Sequence, residues 1–178
     1  MDAHRSLDEL NGALDLIRRS PKDDGRVELI VCRPSVGDRK VLDEGRLDPA
    51  VGLSGDSWGT REPHPDAEIQ ITLMNSRAVA EIAQSRHRWP LAGDQLFVDL
   101  DLSLANLPPG TRLSIGDAVL RVSAEPHTGC RKFIARFGVD AQKFVNSIEG
   151  RTLNLRGINA RVVTAGVVKP GDAIVVHR

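Results

Sequence analysis

The sequence predicts a mainly β fold: an antiparallel sheet curled into a barrel-like domain, with a few short helices and an N-terminal helix. Three observations carry this. Short apolar or alternating segments recur along most of the chain. Turn signals separate them, among them Pro108-Pro109-Gly110, Gly116-Asp117 and Lys169-Pro170-Gly171-Asp172. Helical periodicity is confined to a few stretches. Many short strands with regular turns and few helices pack as a closed or sandwiched sheet.

The elements follow in order. Leu7, Leu10, Leu14 and Ile17 recur at helical spacing, so a helix is predicted over residues 7–19, opened by Ser6 with Glu9 three residues on. Ser20 to Gly25 breaks it as a loop, which divides the chain into a helix and linker (1–25) and a barrel domain (26–178). Residues 27–32 are β-rich and almost wholly apolar, the mark of a buried strand, and 39–42 make a short second strand. Residues 68–73 alternate polar and apolar and predict a half-buried strand. Asn75 or Ser76 then caps a helix over 77–84, which ends before Pro90. Residues 95–100, 112–115 and 119–123 are further strands. Helical sequence follows over 131–136 and 141–148, with Phe133, Phe137 and Phe144 facing inward. Residues 160–165 and 173–177 supply the last strands.

Composition limits the function. At 178 residues the chain suits about one domain, large enough to bury a core without staples. Lys plus Arg and Asp plus Glu are 24 each, so no basic surplus points to nucleic acid, although one local basic patch remains open. No apolar run approaches the ~18 residues of a membrane span, and 1–20 lack the apolar core of a signal peptide, so the expected compartment is the cytoplasm. Two cysteines are too few for a disulfide scaffold, and no Cys-x-x-Cys or His-x-x-x-His spacing supports structural zinc.

Cys130 is the candidate reactive group. It lies in Pro126-His127-Thr128-Gly129-Cys130-Arg131-Lys132-Phe133, where it opens a helix beside an imidazole and two cations. Such surroundings favour a thiolate, which is a nucleophile, a sulfur carrier and a soft metal ligand. The bland alternative is an inert thiol at a strand end. Cys32, inside an apolar strand, reads as a small hydrophobe. Val51 to Gly59 is a glycine-punctuated loop in which Gly52 and Gly55 permit close backbone approach to a ligand and Asp56 either binds a polar ring or holds the loop shut. A plain turn explains that loop about as well.

Taken together, three ordered elements resemble the MOSC family, the domain at the C-terminus of molybdenum-cofactor sulfurases that also occurs as stand-alone bacterial proteins. They are Gly52-Leu53-Ser54-Gly55-Asp56; Gly93-Asp94-Gln95-Leu96-Phe97-Val98 with the strands after it; and the segment ending at Cys130. The resemblance runs from about Val27 to the C-terminus. It implies a barrel-like fold and a signature cysteine at Cys130 that ligates molybdenum or carries sulfur as a persulfide. On that reading Cys130 and His127 are catalytic, Cys130 is the metal ligand, and Gly52, Gly55, Asp56, Arg131 and Lys132 contact a molybdenum cofactor. The implied activity is a molybdenum-cofactor-dependent oxidoreductase or a sulfur transferase. A cysteine desulfurase, a sulfurase or an electron-donor protein is the implied partner. No lysine-bearing aminotransferase-like region is present, so no pyridoxal phosphate is expected. The sequence departs from the family's usual pattern at Trp58, Asp94, His127 and Gly129. The rival expectation is a non-enzymatic module that binds a small ligand or a partner protein and keeps Cys130 buried.

Overall fold

A computed structural model describes residues 4–178; residues 1–3 of the predicted N-terminal segment lie outside the described residues. The strands, in chain order, are β1 (Gly25–Cys32), β2 (Lys40–Leu42), β3 (Gly45–Asp48), β4 (Gly52–Leu53), β5 (Ile71–Asn75) and β6 (Leu96–Asp99). They continue with β7 (Arg112–Ile115), β8 (Ala118–Val122), β9 (Ile158–Thr164), β10 (Gly166–Val168) and β11 (Ala173–His177). The helices are α1 (Leu7–Gly12), α2 (Leu14–Arg18), α3 (Ser76–Ala83), α4 (Arg131–Asn146) and α5 (Ile148–Thr152).

Seven strands, β11-β7-β8-β9-β5-β6-β1, close into a barrel because β1 pairs back onto β11, and β2 extends β1 at an edge. The barrel is mixed rather than purely antiparallel: β5 and β6 run parallel, with Leu73 opposite Leu96. A parallel pair needs a crossover, and α3 with the 3₁₀ turn Arg86–Ala92 supplies it. A small sheet, β10-β3-β4, lies beside the barrel.

The near-continuous apolar run of β1 has a simple cause. Val27, Ile30 and Cys32 belong to the barrel interior, while Leu29 and Val31 join a second apolar cluster with Met74, Phe97, Phe133 and Phe144. The outer wall of the barrel is thus covered by helices, so both faces of β1 are dry. A register shift between Val27 and Leu29 lets the strand change face.

Two expectations are corrected. The N-terminal helix is two short helices interrupted at Ala13, although Ser6 and Glu9 do form the capping box. Residues 68–70 are not strand: Asp66 caps a 3₁₀ turn over Ala67–Ile69, and β5 starts at Ile71 with every residue buried. The Gln70 side chain is drawn inward instead, donating to the Pro49 carbonyl at 2.9 Å and accepting from the Val162 N–H at 2.8 Å. The two helical runs expected after Cys130 are present and meet across a kink at Gly138, whose φ of 88° only glycine adopts readily, the second ending at Asn146.

Candidate functional site

Strand register assembles the site. Ile30 pairs with Leu96, Leu96 with Leu73, and Leu73 with Ile158, a single row across β1, β6, β5 and β9. Past that row Arg33, which follows β1, and Asp94, which precedes β6, lie at the same end of the barrel. Arg156, which precedes β9 on the other side of the row, reaches them with its side chain, Nη1 meeting Asp94 Oδ2. Cys130, the N-cap of α4, faces the cleft these residues floor.

The cleft has a volume of about 470 Å³. Its cationic lining is Arg33, Arg39, Arg61, Lys132, Arg136 and Arg156, and among the described residues no carboxylate side chain lines it. Backbone carbonyls hold the arginines in place. Four successive carbonyls at the end of the 3₁₀ turn each accept from a different guanidinium. Pro90 O accepts from Arg39 Nε at 3.2 Å, and Leu91 O from Arg136 Nη1 at 2.7 Å. Ala92 O accepts from Arg156 Nη2 and Gly93 O from Arg33 Nη1, both at 2.9 Å. Gly93 turns this row with φ 92°, and a Cβ there would lie 3.6 Å from Arg39 Nη2 and 3.7 Å from Arg136 Nη1. Crowding of like charge shows in Arg39: burial first, then Arg136 and Arg33, push its pKa below the ordinary arginine value. Such a cleft is electrostatically prepared for an anion.

Beneath it lies a buried polar triad. Asp94 is 0 % exposed; its Oδ2 accepts from Arg156 Nη1 at 2.7 Å, and its Oδ1 stands 3.4 Å from His127 Nδ1. Neither of the last two atoms has a hydrogen-bond partner. Burial, with help from the charge of Arg156, lowers the His127 pKa to about 4 against the pull of Asp94. The imidazole is therefore neutral at pH 7 and lends no positive charge to the thiol, contrary to the sequence expectation.

Cys130 is exposed, so the rival reading of a buried structural thiol loses its premise. Partial burial opposes ionisation of Cys130. The N–H groups of Phe133 and Lys132 and the charges of Arg156 and Lys132 outweigh it, and the pKa falls below that of an ordinary thiol. The loop before it is clamped: Gly129 N–H donates to Asn146 Oδ1 at 2.9 Å, and Asn146 Nδ2 donates to Gly129 O at 3.1 Å. A proline at 129 would forfeit the first of these bonds.

The structure thus brings Cys130, His127 and Lys132 together. Arg131 is exposed and is not part of the cleft lining. Gly52, Gly55 and Asp56 also stand away from it; Gly55 and Asp56 line a separate depression. Asp56 is 3 % exposed and is fully engaged with protein groups. Its Oδ2 accepts from Arg33 N and Nε at 2.9 Å, and its Oδ1 from Arg33 Nη2 and Trp58 N at 3.0 Å. Its carboxylate aims Arg33 instead of meeting a ligand. Cys32 lies in the barrel interior, its thiol pushed up by burial and by Asp56. The residues that sequence reasoning missed are Arg33, Arg39, Arg61, Arg136 and Arg156. They are dispersed in sequence: Arg33, Arg39, Arg61 and Arg156 sit beside strand and turn ends and Arg136 lies within α4, so no local motif joins them.

Among curated proteins no match to this chain was found. Solved structures with the same fold include YuaD from Bacillus subtilis, at 21 % identity and a TM-score of 0.60 over 86 % of this chain and 95 % of that one. They also include YiiM from Escherichia coli, at 20 % identity and a TM-score of 0.57 over 86 % of this chain and 70 % of that one. YiiM from Geobacillus stearothermophilus matches at 16 % identity with a TM-score of 0.61, over 86 % and 75 % of the two chains. The model of the MOSC domain matches residues 60–175, the stretch that holds the carbonyl row, Asp94, His127, Cys130 and Arg156. The chain belongs to the MOSC domain family.

Proposed function

We propose that this protein works through the Cys130 thiolate at the rim of an anion-binding cleft, where it either ligates the metal of a molybdenum cofactor or carries sulfur as a persulfide. The observation that supports this reading is the exposed, acid-shifted thiol facing six cationic side chains, four of them held by backbone carbonyls and two of those, Arg33 and Arg156, also paired with the buried Asp56 and Asp94.

The residues present fit a cofactor that brings its own ligands. Among the described residues no cluster of three or more His, Cys, Asp or Glu side chains is placed to hold a metal ion. The chain offers one soft ligand, Cys130, and around it the guanidinium groups that suit a phosphate. A molybdenum cofactor, when bound, supplies redox chemistry at the metal. The chain's part is to fix the phosphate with Arg33, Arg39 and Arg136 and to keep the sulfur ionised. Asp94 and Arg156 hold the floor rigid below.

In sulfur carriage the same thiolate attacks the terminal sulfur of a donor persulfide. A new S–S bond forms on Cys130, the donor's S–S bond breaks, and the donor leaves as a thiolate with no net redox change. A desulfurase or sulfurase would be that donor, and an electron-donor protein would serve the metal-based activity.

Metal and labile-sulfur analysis of protein from a molybdopterin-competent host distinguishes the two forms. Bound molybdenum or labile sulfur on the wild type, lost in Cys130→Ser, is the expected result. Neither on the wild type overturns the proposal. Alkylation with iodoacetamide adds a check on the thiol. Its rate is expected to reach half-maximum at a pH below that of glutathione under the same conditions, and an ordinary or higher midpoint contradicts the thiolate.

A further inference from the structure

A second cavity, of about 330 Å³, backs directly onto the Cys130 cleft. His127 and Arg156 line both spaces and form the partition between them. The two sides have opposite chemistry. The floor of the inner cavity is apolar, built from Leu107, Val122, Val145 and Ile158, each no more than 5 % exposed. Its interior polar groups are uncharged: the amides of Asn154 and Asn159 and the hydroxyl of Ser123.

No net charge faces that interior. On the partition Arg156 is already neutralised by Asp94 at 2.7 Å. Desolvation holds the other partition group, the His127 ring, in its neutral form. The charged lining residues outside the partition, Glu125 and Arg151, are of opposite sign and exposed. A charged ligand entering this space would lose its hydration with no counter-charge to replace it. An uncharged ligand with an apolar body loses little. The Asn154 and Asn159 Nδ2 groups already donate to the Leu102 and Glu125 carbonyls, but the Ser123 hydroxyl, which accepts from Glu125 N–H, keeps its own proton to donate to one polar group on it. The volume falls within the range of small-molecule pockets, about 300–1,000 Å³.

We infer that the inner cavity is a binding site for a small, uncharged, mostly apolar organic molecule carrying one amide-like polar group. It lies beside the anion cleft so that the two ligands are bound at once on either side of His127 and Arg156. The assignment goes beyond the thiol chemistry and stands without it, so Cys130→Ser is expected to keep this site.

The test uses benzamide, benzoate and inorganic phosphate as probes in methyl- and amide-detected NMR of the full chain. Benzamide is expected to shift the methyl signals of Val122, Val145 and Ile158 saturably, with a Kd of about 1 mM or tighter. Benzoate is expected to bind there at least about tenfold more weakly, because its carboxylate loses hydration over the apolar floor and the only unpaired cation in the lining among the described residues, Arg151, is exposed at the rim with Glu125. Phosphate is expected to shift the signals of Arg33 and Lys132 and to leave the benzamide Kd unchanged. Leu104, half exposed at the mouth, provides a variant that spares the core. Leu104→Trp is expected to weaken benzamide while phosphate affinity and the remaining spectrum stay as they are. Absence of saturable shifts at the three methyl groups overturns the inference. Benzoate binding as tightly as benzamide, phosphate competing with benzamide, or unchanged benzamide affinity in a folded Leu104→Trp each overturn it as well.

Discussion

His127 shows how burial sets the chemistry of one side chain. An imidazole three residues from a thiol invites a reading as a cation that stabilises the thiolate. In the fold it is wedged between Arg156 and Asp94 with 18 % of its side chain exposed, and it stays neutral. The consequence for stability has a definite sign. The folded pKa of about 4 lies below the usual 6.5, so the unfolded chain binds the proton more tightly. The neutral form's contribution is complete above pH 6.5 and is lost as the pH falls toward 4, by up to about 3 kcal/mol. His127→Gln removes this titration. Urea unfolding of both proteins from pH 7 to pH 4 is expected to show wild type losing stability faster than the variant. Parallel losses would mean that His127 is protonated in the fold. None of this was legible in the sequence, because it depends on Asp94 and Arg156, which are distant along the chain.

At the scale of elements, strands with strong β signals were legible. β7 and β11 occupy the stretches that the sequence and its flanking turns predict. β3, β4 and β10 were not, since these two- to four-residue strands include Gly45, Arg46, Asp48, Gly52 and Gly166 and gain their pairing from one another. The parallel pairing of β5 and β6 also leaves no local mark. The glycine loop after β4 was visible as a motif, but its purpose was not. Asp56 caps the turn Ser57–Thr60 and at the same time clamps Arg33, so a loop that meets the cleft only through Ser57 also fixes a second part of its wall. Asp56→Ala leaves the largely buried Arg33 without its carboxylate. The expected cost is on the order of 3 kcal/mol in chemical denaturation. Phosphate affinity should fall with it, since Arg33 loses its aim. A variant with unchanged phosphate affinity would show that Arg33 does not serve the anion.

For the whole molecule, a chain of zero formal charge presents a cleft of one sign. Composition gave no basic surplus, and the fold gathers arginines distant in sequence into a basic site nonetheless. The barrel depends on its seam, where Gly25 meets Ile174 and Arg26 meets Ala173. Gly25 sits close under β6: a Cβ there would lie 2.5 Å from Asp99 O and 2.9 Å from Leu100 Cδ1. Gly25→Ala is therefore expected to lower Tm by about 5 °C, through overpacking of roughly 1–3 kcal/mol. Gly12, whose Cβ would meet nothing within 4 Å, is the control, and Gly12→Ala should leave Tm unchanged or raise it slightly. Equal effects at the two positions would show that the seam tolerates widening.

The same seam governs how the chain acquires its structure. The first and last strands of the barrel are the pair that shuts it, so the ring cannot form until nearly all of the polypeptide is available. On a ribosome, β1 must wait with an unpaired edge while the rest of the chain is made. Pairing so distant in sequence slows folding toward the millisecond-to-second range of barrel-like domains. Protection of the Val27 amide, which donates to the Asp172 carbonyl at this seam, should accordingly appear in pulsed hydrogen exchange together with that of β11, as a late event, whereas the Val31 amide, bonded to Gln95 O, is free to be protected earlier.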